Sequence, residues 1–361
     1  MTLITKSDAR LVNPAAAIGN IHGFYGAQDY RAMLDFSHQI YRVDGEEKSF
    51  SDIVNLVRGG SDAQYLDSLG RYRTVSGNAP RYHMIPEKNE VGLLLEKETR
   101  NFLESDADGA SFTATDAGED ILVSWRGSGT VTPNASDLAL RREVKAGQRT
   151  ARFYTRSGLK TGTVTVSGEA RDIMVTNSNS ARTFVPHLAT RSKDDFALRG
   201  VPFDIVKSGA ATLLMRFAFM PDNGNTRRTV FLLLRNDNAP NGLIRILSQY
   251  NRTGLDEGSI SVVQDGGPSL AEATPPLIAR NLGNFNGNPI VGAYFSGFGA
   301  RAGIISHGQA GQNTAASVSR TPPTAITSMF LDAPDAILTH AVIYDRMVSD
   351  DEAFDLAVFG S

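Results

Sequence analysis

Short segments rich in Val, Ile, Thr and Phe recur along this chain. Each is cut off by Gly, Pro, Asn or Asp before a helical period can build up. With 34 Gly and 15 Pro in 361 residues, turns come too often for long helices, and the β-branched and aromatic residues between them suit pleated strands. The predicted fold class is therefore all-β. The segments 149–155 and 161–166 alternate in the period-2 manner of half-buried strands. Gly147, Gly158 and Gly168 stand at the roughly ten-residue spacing of sandwich turns.

Four regions are expected. Residues 1–35 sustain no period, since Asn13-Pro14 and Ala15-Ala16-Ala17 are followed by Gly19, Gly23 and Gly26. Such a segment buries little surface alone and orders against a partner; Asn13, Pro14, Phe24 and Tyr25 are its candidate anchors. Residues 36–105 read as an extended, partly stranded connector, with Pro80 and Pro86 forcing extended backbone before them. Residues 106–190 read as a small β-sandwich, with a strand over 121–125. Residues 191–361 read as a larger one, with strands over 212–220, 229–234, 243–248, 259–263, 291–295, 302–306, 328–331 and 337–344 and a long loop over 265–288. One short C-terminal helix is expected to start at Ser349, where Glu352 completes a capping box.

Composition narrows the chemistry. The absence of Cys excludes disulfides, thiolate metal sites and cysteine nucleophiles. A net charge of −3 does not suit a general nucleic-acid binder. The first residues lack the apolar core of a signal peptide, and no apolar run approaches the ~20 residues that span a bilayer, so a protein made and kept in water is expected.

No nucleophile elbow, zinc-protease helix, P-loop or dinucleotide fingerprint occurs. Glycosidases need two carboxylates facing each other across a cleft, and no cluster of acids marks one here; Glu96 and Glu98 lie in an apolar motif and read as structural ion pairs. Asp106-Ala107-Asp108-Gly109 resembles part of a calcium loop but lacks its remaining ligands, and a turn explains it. Asp222, Asn225 and Asp237 offer oxygen ligands for Ca2+ at loop edges, where turn formation is the competing reading. Trp125, Tyr250, Tyr294 and Phe298 are the candidate platforms for stacking sugars, with a core role as the alternative for Trp125. His340, within a strand, reads as a core residue rather than a ligand.

Three stretches taken together resemble tail-fibre and spike proteins of tailed bacteriophages. The first is Arg58-Gly59-Gly60-Ser61-Asp62-Ala63-Gln64-Tyr65-Leu66-Asp67-Ser68-Leu69-Gly70, continued by Asn78-Ala79-Pro80-Arg81-Tyr82. The second is Gly92-Leu93-Leu94-Leu95-Glu96-Lys97-Glu98-Thr99-Arg100-Asn101-Phe102-Leu103, which departs from the family's pattern by inserting Arg100 between Thr99 and Asn101. The third is Ala181-Arg182-Thr183-Phe184-Val185-Pro186, followed by Thr190-Arg191-Ser192-Lys193-Asp194. The Trp125-Arg126-Gly127-Ser128-Gly129-Thr130-Val131 strand is similar to one found in the small sandwiches of such chains. The ending Tyr344-Asp345-Arg346, running into Ser349-Asp350-Asp351-Glu352, resembles that of concanavalin A-like or laminin G-like sandwiches.

The resemblance implies tandem sandwiches, a small jelly-roll-like one followed by a larger lectin-like one. It implies a virion protein of the tail, baseplate or head, assembled in the host cytoplasm and released by lysis. It further implies a homo-oligomer, favouring a trimer, joined to other virion proteins through its arm and to host surface polysaccharide through its last domain. No catalysis, nucleic-acid binding or membrane insertion is expected. The competing readings are a capsule-degrading depolymerase, a decoration protein without receptor binding, and a free bacterial lectin or adhesin.

Overall fold

The computed structural model describes residues 30–60, 62–85, 90–114, 120–135, 139–144, 149–154, 160–176, 182–219, 229–235, 243–250, 258–264, 269–273, 290–296, 301–306, 328–332 and 336–348. The chain is all-β, with two short helices among the described residues. The arm candidates Asn13, Pro14, Phe24 and Tyr25, and the C-terminal helix expected from Ser349, lie outside them.

The first part of the chain carries β1 (Ala32–Asp35), β2 (Ile40–Val43), β3 (Glu46–Glu47), α1 (Phe50–Ile53), β4 (Val54–Val57), β5 (Ala63–Leu66), β6 (Tyr72–Val75), β7 (Tyr82–Ile85), β8 (Glu90–Leu95) and β9 (Thr99–Arg100). The β5–β6 hairpin is closed by Asp67, whose Oδ1 accepts the backbone N–H of Leu69 (2.9 Å) and of Arg71 (2.8 Å). Gly70 follows at φ 72°, a backbone setting that suits glycine.

The small sandwich comprises β10 (Ser111–Ala114), β11 (Asp120–Arg126), β12 (Thr130–Asn134), β13 (Ala139–Val144), β14 (Arg149–Tyr154), β15 (Lys160–Ser167) and β16 (Arg171–Thr176). Its sheets run β10-β15-β12 and β13-β14-β11-β16. Phe102, Phe112, Ile121, Val123, Trp125 and Ile173 lead the core between them. Alternate residues of β11 face inward, as the period of a strand requires.

Trp125 is 1% exposed, and its indole N–H donates to the Gly129 carbonyl at 2.8 Å. Its ring is core, so the candidate sugar platform at this position is withdrawn. Close backbone approach accounts for the glycines beside it: a Cβ at Gly127 would run into the Glu169 carbonyl, and one at Gly129 into that of Ser167.

The rest of the chain adds β17 (Thr190–Arg191), β18 (Asp195–Leu198), α2 (Val201–Lys207), β19 (Thr212–Phe219), β20 (Thr229–Arg235), β21 (Leu243–Tyr250), β22 (Gly258–Gln264), β23 (Ser269–Ala273), β24 (Ile290–Ser296), β25 (Arg301–Ser306), β26 (Ser328–Asp332) and β27 (Ala336–Tyr344). All eight strands expected here are present, with ends displaced by at most two residues. β23 lies where the long loop was expected; it forms the edge of its sheet through its pairing with β22.

One sheet of the larger sandwich runs β25-β24-β19-β27-β1-β2-β3, with β8 and β7 joined beside β27. The other runs β23-β22-β21-β20-β26-β18-β4. β27 is buried along its whole length. β19 covers one edge, while β1 and β8 share the other, at 340–343 and 336–338. Phe36, after β1, meets Phe196 of β18 edge to face at 6.2 Å between ring centres, tying the two sheets together. Gly92 of β8 allows close approach to β27, since a Cβ there would meet Ile337 Cγ2 at 2.6 Å and the Leu338 carbonyl at 2.8 Å.

Strands expected in an arm and a connector thus belong to the larger sandwich. β1 lies within 1–35, and β2, β4 and β8 within 36–105, yet β1 and β8 pair with β27, β4 pairs with β18, and β2 extends the sheet from β1. The reason is burial: Ala32, Met33 and Leu34 are wholly enclosed, a condition that a free arm cannot provide. The small sandwich is carried between two portions of the larger one. Leu34→Ala is therefore expected to cost the larger sandwich about 2–5 kcal/mol, as for a buried leucine, where an arm residue would cost almost nothing. The urea midpoint of the full chain checks this.

Candidate functional site

The three motif stretches converge on one buried ionic junction, where the chain enters and leaves the small sandwich. Two segments run side by side there. β9 pairs with β17, and the backbone N–H of Asp194 donates to the Glu96 carbonyl at 2.9 Å. The segments 95–101 and 189–194 thus form a two-stranded stalk, led into by a turn at 187–188, and side chains flanking β4 and β7 and from the turn after β6 close around it.

Arg81 sits at the centre. Its guanidinium is buried and spans the two carboxylates, Nη1 donating to Glu96 and Nη2 to Asp194. Nη1 also reaches the Gln64 carbonyl and Thr183 Oγ1, each at 3.0 Å. Arg58 follows β4 and donates through Nε to Asp194 Oδ1 at 2.7 Å. Its two terminal nitrogens go to the carbonyls of Gly77 and Ala79, both at 2.8 Å. Its backbone N–H donates to Asn78 Oδ1, also at 2.8 Å, so Asn78-Ala79-Pro80-Arg81 wraps the Arg58 head. Arg191 stands 3.0 Å from Glu96 Oε2 and donates to Thr183 Oγ1 (2.7 Å) and Thr99 Oγ1 (3.1 Å). Arg182 donates to Thr99 Oγ1 at 2.9 Å and to the Glu98 carbonyl at 2.6 Å.

The carboxylates are saturated. Glu96 Oε1 accepts the Thr183 N–H at 2.6 Å, and Oε2 accepts the Thr183 hydroxyl at 2.7 Å besides Arg81. Asp194 Oδ2 accepts the Glu96 N–H at 2.8 Å. Burial pushes the Glu96 carboxyl up, but Arg191, Arg81 and the Thr183 hydrogen bonds outweigh it and hold the group well below its ordinary value. Burial brings Arg191 down to about 10, so it stays charged at neutral pH. Burial also weighs against the charge on Arg81, yet Glu96 and Asp194 raise it further.

Asn101 fastens the stalk to the small sandwich. Its amide nitrogen donates to the carbonyls of Ile173 (3.1 Å) and Val185 (3.0 Å), and its oxygen accepts the N–H of Leu103 and of Val175, both at 3.1 Å. All four hydrogen-bonding positions of the side chain are used. The Arg100 inserted beside it points outward, leaving Thr99 and Asn101 facing inward. The carboxylates of Asp106 and Asp108 accept backbone N–H groups of Asp172, Ile173 and Val166 at 2.8–2.9 Å, fastening their loop to β15 and β16, and the turn expected there is closed by the Ala110 N–H on the Ala107 carbonyl at 3.1 Å.

The other candidate site residues are not brought together. Tyr250 and Tyr294 lie on β21 and β24, with their side chains outside the described part. Phe298, Asp222, Asn225 and Asp237 lie outside the described residues. A second cluster escaped the sequence reading: Asp35, His38 and His340 gather at the β1–β27 pair. Their only sequence signal is an Asp-x-x-His turn. His340 is buried as expected, and burial brings its imidazole down to about 4. Burial pushes Asp35 up, but the hydrogen bond from His38 and the nearby His340 bring it below its ordinary value.

No family model matches this chain, and no curated protein matches it.

Glu96 links stability to pH. Its folded value lies below its ordinary 4.5, so the stability it contributes is complete above that pH and is lost as pH falls through the acid range beneath it. Glu96→Gln should flatten that acid limb and cost about 3–5 kcal/mol at pH 7, as expected when one partner of a buried pair is removed. Denaturation curves of both chains across the acid range provide the check.

Proposed function

We propose that the chain is a structural protein of a tailed bacteriophage or phage-like particle, a fibre or spike that works as a homotrimer and carries out no catalysis. The observation that carries this reading is the junction: each of the first three stretches on which the family resemblance rests supplies a charged residue to it. Arg58 and Arg81 come from the first stretch, Glu96 from the second, and Arg191 and Asp194 from the third. The resemblance thus marks a shared way of fixing one sandwich on another, which is what a rigid projecting module needs.

The chemistry of the same residues argues against a glycosidase. Glu96 and Asp194 are two close carboxylates, but both are enclosed, ionised partners of arginine. A general acid for glycoside cleavage needs a raised pKa and access to the sugar, and Glu96 has neither. Arginine geometry suits the structural role, because a fork that spans two carboxylates tolerates little rotation.

The larger sandwich faces outward in this reading and binds host surface polysaccharide weakly, with linked copies supplying avidity. Mass spectrometry of gradient-purified particles should find the chain in fixed stoichiometry, and light scattering should give about three times the 38.9 kDa chain mass. Adsorption of the purified multimer should be strong to host cells and lost on a mutant without surface polysaccharide. Absence from particles would remove the virion reading, and equal adsorption to both strains would leave only a structural role.

A further inference from the structure

We propose that Asp35, His38 and His340 form a binding site for one divalent transition-metal ion of the zinc class. This goes beyond the virion reading and does not depend on it. Asp35 and His38 lie some three hundred positions from His340, and the fold brings the three ligand atoms within 4.8 Å of one another.

Two features of the backbone create the site. Asp35 and His340 are directly opposed in the β1–β27 ladder, so their side chains project on the same face. The turn after β1 then folds His38 back over Asp35: the His38 backbone N–H donates to Asp35 Oδ1 at 2.9 Å, and Gln39 takes φ 57° to complete the turn. His38 Nδ1 stands 2.9 Å from Asp35 Oδ2, and His340 Nε2 stands 3.4 Å from Oδ1. Ligands around tetrahedral zinc at about 2.0–2.1 Å are separated by about 3.3–3.4 Å. The two contacts, made to different oxygens of Asp35, lie within about 0.5 Å of that spacing, and all three ligand atoms lie within 4.8 Å, so an ion would draw them together by rotation of the partly exposed His38 ring.

The donor set selects the ion. Two imidazole nitrogens and one carboxylate oxygen suit Zn2+ and Co2+, whereas Ca2+ and Mg2+ prefer oxygen alone. Each imidazole must give up the proton on its ligating nitrogen, and each can move it to its other ring nitrogen. For His340 that nitrogen is Nδ1, which faces Arg216 Nη1 at 3.5 Å and Glu90 Oε1 at 4.0 Å; a proton there requires the guanidinium to swing aside and leave Glu90 as the carboxylate behind the histidine. Arg216, the nearby cation, is already paired with Glu90. Asp35 and His340 are buried, while the His38 side chain is 30% exposed, which leaves an entry side. An ion here would pin the beginning of the described sheet, β1, to its last strand, β27.

The test uses the full chain stripped by chelator and titrated with Co2+, followed by visible d–d absorption and by displacement with Zn2+. One Co2+ per chain should bind at micromolar metal, one Zn2+ should displace it, and the melting temperature should rise with either ion. His38→Ala and, separately, His38→Gln should abolish the absorption and the rise in melting temperature. Because His38 sits in a partly exposed turn, both variants should melt like the stripped parent chain. His187→Ala, which removes a histidine paired with Asp106 elsewhere, should bind as the parent does. No stoichiometric uptake, or uptake unaffected by both His38 substitutions, would overturn the site.

Discussion

The fork that Arg81 throws across Glu96 and Asp194 is the contact on which the arrangement of this molecule depends. One carboxylate belongs to the strand leading into the small sandwich and the other to the strand leading out. A guanidinium that must satisfy both fixes the two strands side by side. Removing it would leave two buried anions facing each other with only Arg58 and Arg191 to offset them. Taking such charges out of water costs several kcal/mol per ion, so the junction is stable only when complete. That is why its members come as a set, and why the threonines Thr99 and Thr183 are part of it: each accepts from two arginines, Arg191 in common, while Thr183 donates onward to Glu96.

Much of the β architecture was legible because strand period and turn chemistry are local. β27 reads as a continuous apolar run from Ala336 to Tyr344, broken only by Thr339 and His340, and β11 shows its alternation around Trp125. The pairing of β1 was not legible. Ala32–Asp35 is four residues long, too short to show a period, and its partner lies three hundred positions away. Nothing local distinguishes it from an arm. The same limit hid the Asp35, His38 and His340 cluster, because register across β1 and β27 places those side chains together and register is a tertiary property. Glu96 was legible as a structural ion pair from its apolar surroundings, but the convergence of Arg81 and Arg191 on it was not. Each arginine by itself resembles any surface cation.

Carrying the small sandwich within the larger one has consequences for folding. β1 and β27 close a loop that contains almost the whole chain, and such closure is slow even though its entropic cost grows only with the logarithm of length. The stalk shortens that problem. Once Glu96 and Asp194 lie side by side, the small sandwich is a closed excursion between two adjacent points. β4 and β18, which pair directly, are then separated by a much shorter effective loop. A junction that forms early would bring the two portions of the larger sandwich into register before its outer strands add. Local turns such as Asp67–Arg71 can form ahead of it, because they need no partner.

The charge balance of the junction explains why backbone carbonyls are drawn into it. Arg58, Arg81 and Arg191 bring three positive charges against the two of Glu96 and Asp194. The excess is met by the dipoles of Gly77, Ala79, Gln64, Lys97 and Thr183 carbonyls, each accepting from a guanidinium. Gln64 lies in β5, while the others lie in turns and irregular segments. The turn after β6 is therefore ordered largely by the hydrogen bonds its Gly77 and Ala79 carbonyls accept from Arg58. A hydrophobic junction of equal volume would hold the sandwiches together as strongly, or more so. It would not fix their relative angle, because apolar contact is non-directional, whereas every guanidinium here has its acceptors in set directions. That angular definition is what the desolvation of these charges secures.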